Sequence, residues 1–340
     1  MGPHKVERKR ARHTADQPFF GFFKTHHPDS QSSMLAHFVA SSGEFVGTFL
    51  FLYFAFLGHL MSVDQAADKA RWRQRFTDSN FRKYQSVGSL ESMSYADVTD
   101  QIALSYGFSL LVTAWNLYRV SGGLFNPAVT LGMVLTGTLS PVRAVLFVIV
   151  QFLGAICAAA LVSCMVPGDI TNLQTTLGAQ TTIAQGVFIE MFLTALLVFT
   201  VLMLAAEKHE STYIAPIGIG MALFVVEVAG VYWTGASVNP ARSLGPCVAA
   251  ASFQGYHWIY YVGPLLGALI SAGYFHFIKF FHYEEANPGQ VRMQAQYGGS
   301  AEKLDSATAE KESPTAASGE QDASAGVGRT MHPGYGDDMV

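Results

Sequence analysis

The chain has 340 residues, of which 50% are hydrophobic and only 14% charged. A soluble domain carries about a quarter charged residues, so this balance excludes an ordinary soluble fold. The net charge of −4 decides little, because the charges sit in the two tails and one loop.

Residues 1–35 are polar and basic, and read as a flexible arm. Lys5, Arg8, Lys9, Arg10, Arg12 and Lys24 outnumber the acids there, which favours a cytoplasmic N-terminus. The first 30 residues lack an apolar core, so no cleavable signal peptide is expected and the first span acts as its own insertion signal. Six apolar runs follow, near Ala36–Met61, Ile102–Tyr118, Pro141–Met165, Thr182–Ala206, Tyr213–Trp233 and Trp258–Phe281. A membrane-spanning helix needs about 20 mostly apolar residues. Five runs meet this comfortably and the second only just does. Residues 62–98 between the first two runs are polar with interspersed aromatics, and read as a long extracellular loop. From residue 282 to 340 the chain turns to Glu, Ala, Ser, Gly and Pro, with acids in excess. That composition cannot bury enough apolar area to offset its conformational entropy, so a disordered cytoplasmic tail is expected. Its serines 300, 306, 313, 318 and 324 are candidate phosphorylation sites.

Asn-Pro-Ala occurs twice, at Asn126-Pro127-Ala128 and at Asn239-Pro240-Ala241, 113 residues apart. The same offset pairs Gly107 with Gly220, Ser121 with Thr234, Gly122 with Gly235, Leu131 with Leu244 and Gly154 with Gly267, with no gap. Two related halves, 36–166 and 182–281, therefore make up one channel domain, 36–281. Each half has three spans. Three is odd, so the second copy enters the membrane in the opposite sense, and the functional site lies at the midplane between the halves. Gly107, Gly220, Gly154 and Gly267 read as points where helices cross closely in lipid.

Asn suits a helix N-cap and Pro suits the first helical position. Each motif thus starts a helix of about ten residues, too short to span, that dips in and stops. The backbone before it, Gly122-Gly123-Leu124 in one half and Gly235-Ala236-Ser237 in the other, is expected to turn carbonyls toward a water-lined cavity, where bare backbone is tolerated at membrane depth. Opposed half-helices bring two N-termini together, each with roughly half a positive charge. Cations are repelled there, while the amides of Asn126 and Asn239 meet a neutral hydrogen-bonding molecule.

These residues carry a resemblance. The paired Asn-Pro-Ala loops, Ser121-Gly122 before the first and Arg242-Ser243 after the second, resemble the aquaporin (major intrinsic protein) family. The spelling from Ser121 to Thr130 is similar to its fungal branch. The resemblance covers about residues 36–281. It implies an all-α membrane protein of six transmembrane helices and two re-entrant half-helices in an inverted repeat, assembled as a homotetramer with one pore per subunit. It also implies a selectivity filter at Tyr106, Glu227, Ala236 and Arg242. Arg242 matches the family pattern, and Tyr106 stands for the usual Phe or Trp. Glu227 departs from it, since water-selective members usually have His there and glycerol facilitators Gly. A carboxylate in a span is costly and functional by default. Glu227 either faces the pore and pairs with Arg242, or turns aside and bonds backbone. Glu44 and Glu190 hold matching places in the two halves, and the resemblance assigns them to bracing the re-entrant loops, with Gln151 in a similar role.

The implied function is a passive channel for water, and for hydrogen peroxide or other small neutral solutes, in a multi-pass plasma membrane protein with both termini cytoplasmic. Ser243, Tyr260 and Tyr261 favour water, because glycerol facilitators usually carry Asp at the position of Ser243. A glycerol channel is the first alternative. A poorly conducting junctional or signalling protein of the same fold, working through residues 62–98 and the tail, is the second. The eleven histidines show no ligand spacing, and no nucleophile–base set is apparent. No metal, cofactor, nucleic-acid partner or enzyme activity is expected.

Overall fold

The computed structural model describes residues 33–78, 95–207 and 210–286. The expectations for most of the N-terminal arm, for the candidate phosphoserines and for residues 79–94 lie outside these. Every regular element among the described residues is helical. Six long helices are present: α1 (Ser33–Asp78), α2 (Tyr95–Ser121), α4 (Pro141–Met165), α5 (Ile183–Val201), α6 (Ala215–Thr234) and α8 (Ile259–Phe280). Two short ones follow the Asn-Pro-Ala asparagines, α3 (Pro127–Leu135) and α7 (Pro240–Ala249). Asn126 and Asn239 cap them as expected. The side chain of Asn126 accepts from the Ala128 N–H, and that of Asn239 accepts from the N–H of Ala241 and Arg242. At 9 and 10 residues and a rise of about 1.5 Å per residue, neither crosses a bilayer.

Five of the long helices are long and apolar enough to span. The sixth, α2, is more polar but packs between α1 and α6. Three of its hydroxyls are satisfied by main chain: Ser109 donates to the Phe51 carbonyl at 2.6 Å, Ser105 to Gln101 at 2.8 Å and Thr113 to Ser109 at 2.7 Å. Satisfied hydroxyls are tolerated in a span because they leave nothing unpaired toward lipid. Outward faces are apolar, as Val142, Val145, Ile149 and Leu153 on α4 illustrate.

The segment expected to be a loop from residue 62 departs from that expectation. Helix α1 runs unbroken to Asp78, and α2 begins at Tyr95. At 46 residues, α1 is about 69 Å long, more than twice the roughly 30 Å hydrocarbon core. Residues 62–78 hold Ala, Gln, Lys and Arg with no Gly or Pro, a composition that favours helix once outside lipid. Polarity marks the end of the span there, and the helix continues past it. Helix α5 ends in a single π-helical turn, Leu202–Ala206.

The packing follows the repeat. Helix α1 lies on α2 and α4, while α5 lies on α6 and α8. The halves meet through α2 and α6, and each half-helix seats on the last long helix of the other half, α3 on α8 and α7 on α4. Close crossings occur at the paired glycines. A Cβ on Gly154 would lie 2.8 Å from the Phe45 carbonyl oxygen, and one on Gly220 would lie 2.8 Å from the Gly107 carbonyl oxygen and 2.5 Å from Leu111 Cβ. Since backbone cannot step aside cheaply, Gly220→Ala is expected to destabilise the protein by about 1–3 kcal/mol. Thermal unfolding of the purified protein in detergent checks this; an unchanged midpoint would contradict the close crossing.

Candidate functional site

Two largely buried loops, 122–126 and 235–239, are joined by hydrogen bonds between them. Both are built the same way. Gly122 donates to the Tyr118 carbonyl and Gly235 to that of Val231, so these glycines close α2 and α6. Gly235 adopts φ 76° there, a left-handed cap that suits Gly. Three residues later Phe125 and Val238 also have positive φ, 47° and 42°. A β-branched residue in that region is strained, so the surroundings must hold it.

Two buried glutamates do so. Glu44 on α1 accepts from Ser121 Oγ at 2.7 Å, Leu124 N at 3.0 Å and Phe125 N at 2.8 Å. Glu190 on α5 accepts from Thr234 Oγ1 at 2.6 Å, Ser237 N at 2.9 Å and Val238 N at 2.8 Å. Residue by residue this is one bonding pattern used twice. The halves differ in one donor. Gln151 gives Nε2 to Glu44 at 2.8 Å and to Thr130 Oγ1 at 2.9 Å, so it reaches the first loop through Glu44. Its counterpart in the second half by the repeat offset is Pro264, which has no side-chain donor. There Tyr260 donates to the Thr234 carbonyl at 2.9 Å.

The asparagines tie the loops together. Asn126 Nδ2 donates to the Val238 carbonyl at 2.8 Å, and Asn239 Nδ2 donates to the Phe125 carbonyl at 3.0 Å. Each amide has two N–H groups; one is fixed across the loop boundary and fixes the direction of the other. Both asparagines line a narrow internal cavity of about 20 Å³, with Tyr106, Glu227, Ser237 and Arg242 among the other lining residues. One water needs about 10–15 Å³ by the same measure, so the cavity has room for about one water.

Of the six residues expected to offer carbonyls, Gly123, Leu124 and Ser237 line this cavity, while Gly122, Gly235 and Ala236 do not. Gly122 and Gly235 are taken up in helix ends, and Ala236 is buried beside Gly230. The Phe125 and Val238 carbonyls were not anticipated. Nothing in a residue's identity announces which backbone oxygen an opposing amide will choose.

Arg242 is buried, with its guanidinium carbon 4.8 Å from the Tyr106 ring centroid and 5.7 Å from that of Phe56. Its Nη1 donates to the Leu173 carbonyl at 2.6 Å. Leu173 ends a short turn, Ile170–Leu173, in the connection between the halves. Tyr106 hydroxyl lies 3.4 Å from His59 Nδ1 on α1. Neither Leu173 nor His59 was legible as a site residue.

Glu227 lines the cavity and is fully buried, with both carboxyl oxygens lacking a hydrogen-bond partner. The reading in which it bonds backbone therefore fails. So does direct pairing with Arg242: the ion pairs found within 4.0 Å among the described residues are Arg71–Asp68, Lys279–Glu207 and Lys279–Glu284. Arg242 Nη1 donates instead to the Leu173 carbonyl, and the guanidinium lies beside the Tyr106 and Phe56 rings.

Comparison with known proteins agrees with this architecture. Residues 30–275 match the family model described as major intrinsic protein. Probable aquaporin-3 of Gibberella zeae is 53% identical over 75% of this chain and 82% of its own length. Aquaporin-7 of Botryotinia fuckeliana is also 53% identical over 75% of this chain, but the match spans only 52% of that longer protein. Among solved structures, the aquaglyceroporin from Plasmodium falciparum superposes with a TM-score of 0.52 at 19% identity, over 70% of this chain and 95% of that one; at that identity the likeness speaks for the fold alone. Two capped half-helices beside a water-sized cavity, and fungal relatives identical at about half of the aligned positions, lead to one conclusion: the chain belongs to the major intrinsic protein family.

Proposed function

We propose that this chain is a passive channel for water that excludes protons and other ions. The reading rests above all on the cavity of about 20 Å³ lined by Asn126, Asn239 and Arg242. A cavity with room for about one water suits water over glycerol, which is several times larger. Each asparagine offers one amide N–H to a passing water oxygen, and a water accepting from both cannot relay a proton in line. The two half-helix N-termini and Arg242 add positive charge at the same place. Loops held by Glu44 and Glu190 keep this arrangement fixed without flexible side chains. Tyr106, Glu227 and Arg242 are proposed as the filter, without Ala236, which does not line the cavity, in a homotetramer of the plasma membrane with both termini in the cytoplasm, acting without enzyme activity.

Stopped-flow shrinkage of proteoliposomes carrying the full chain tests this. Fast shrinkage with an activation energy well below that of bare lipid is expected. Swelling in isotonic glycerol at a comparable rate would favour a glycerol channel. Neither response would favour a scaffold role and overturn the proposal.

Width at Arg242 leads to a further expected result. Arg242→Ala removes a fully buried side chain beside Tyr106 and Phe56, which widens the narrowest part. Glycerol uptake by vesicles is expected to rise about tenfold over wild type, the change that corresponds to roughly 1.4 kcal/mol of barrier. No rise would mean that the constriction lies elsewhere.

A further inference from the structure

Glu227 poses a chemical problem that the water path does not by itself resolve. It is fully buried, and both its oxygens lack a hydrogen-bond partner. Buried polar atoms are nearly always bonded, and an unbonded one needs an explanation. A second unpartnered atom belongs to the same cavity lining: Arg242 Nε, a donor. Two neighbouring polar groups are engaged. Arg242 Nη1 is held by the Leu173 carbonyl, and the Tyr106 hydroxyl faces His59. Two unmet acceptors and one unmet donor therefore belong to residues lining a cavity with room for about one water, with no direct ion pair between them. A molecule that donates toward Glu227 while accepting from Arg242 completes both sets.

We infer that Glu227 is a specificity-determining residue that makes this constriction select for small neutral solutes carrying two outward O–H or N–H donors. The inference rests on the reading of the cavity as the permeation path. Its chemistry differs from that of a filter walled only by cationic or apolar groups, which serves a solute's acceptor oxygen and leaves its hydrogens to the file of water. Water tolerates such a wall, because it can point one hydrogen along the file to the next water. Hydrogen peroxide is the smallest solute that cannot do so fully. Its two O–H bonds are skewed apart, so one points sideways whichever way the molecule lies. In such a constriction that hydrogen needs an acceptor on the wall, and a carboxyl oxygen of Glu227 supplies it. Leaving a buried donor unmet is costly, and the cost falls on peroxide more than on water.

The test measures water and peroxide permeability in the same proteoliposomes of the full chain, by osmotic shrinkage and by an encapsulated peroxide-sensitive dye. Wild type is compared with Glu227→Ala and Glu227→Gln. Alanine removes every acceptor and widens the opening. Glutamine keeps the shape, offers one acceptor and turns an N–H₂ toward Arg242. The peroxide-to-water permeability ratio is expected to fall about tenfold in the alanine variant, and by a smaller factor in the glutamine variant. A size filter gives the opposite sign for alanine, since a wider gap admits the larger solute more freely. A ratio that rises or stays level in Glu227→Ala overturns the inference while leaving the water channel standing. Should one variant fail to fold, the other still decides through the same ratio. Wild-type vesicles at the level of empty lipid for both solutes would overturn the water-channel reading and this inference with it.

Discussion

Glu190→Ala is expected to abolish the channel by collapsing the second re-entrant loop. The substitution strips the acceptor from Ser237 N, Val238 N and Thr234 Oγ1 at once. Each buried donor left unmet costs about 1–3 kcal/mol, so the total is roughly 3 kcal/mol or more. The two backbone donors have no other bonded acceptor, and Thr234 Oγ1 keeps only a long contact to the Gly230 carbonyl at 3.5 Å. Val238, held at positive φ, then keeps only the bond that its carbonyl accepts from Asn126. Asn239 follows, and with it the bond to Phe125 that joins the two loops. The expected readouts are water permeability at the level of empty vesicles and a much lower unfolding temperature in detergent. Glu190→Gln keeps one acceptor but points an N–H₂ at a backbone N–H, so an intermediate loss is expected. Normal flux and stability in Glu190→Ala would show that the carboxylate does not hold the loop.

The second large effect concerns charge. Two half-helix N-termini together amount to about one positive charge. Asn239→Asp sets one negative charge against it, and also brings a carboxylate oxygen toward the Phe125 carbonyl that now accepts from the amide at 3.0 Å. A unit charge at about 4 Å is worth on the order of 4 kcal/mol at an effective dielectric constant near 20. That corresponds to about a thousandfold in rate. Because Arg242 keeps its own charge on the same cavity, the full release of cations is expected only in Asn239→Asp combined with Arg242→Ala, with a smaller rise in the single variant. Proton influx under an imposed potassium diffusion potential, followed with an internal pH dye, reads this directly. Unchanged influx in the double variant would remove the half-helix charges from the account of ion exclusion.

The sequence carried most of the frame, for reasons visible in particular residues. Helix α4 begins at Pro141 and ends at Met165, as its apolar run indicates, because a proline start and a loss of apolarity coincide with the true ends. The half-helices were legible because Asn and Pro have specific places at a helix start. Glu44 and Glu190 stood out because a carboxylate in a span calls for buried donors, and the donors are there. What stayed hidden was of two kinds. Helix α1 passes beyond the apolar run, and polarity marks where lipid ends without marking where helix ends. The groups that position Asn126, Asn239 and Arg242 are backbone carbonyls of Val238, Phe125 and Leu173, and a carbonyl leaves no trace in residue identity. Glu227 was legible as an anomaly, but its two open oxygens were not, since sequence cannot say which potential partners are already occupied.

Everything proposed for this molecule turns on a bottleneck that lets water through and nothing charged. Proton current through planar bilayers or vesicles holding the purified full chain, recorded on preparations already shown to conduct water rapidly, tests that most directly. The expected record shows no current above bare lipid across a range of imposed voltages. A steady proton or sodium current that scales with the amount of protein would contradict it.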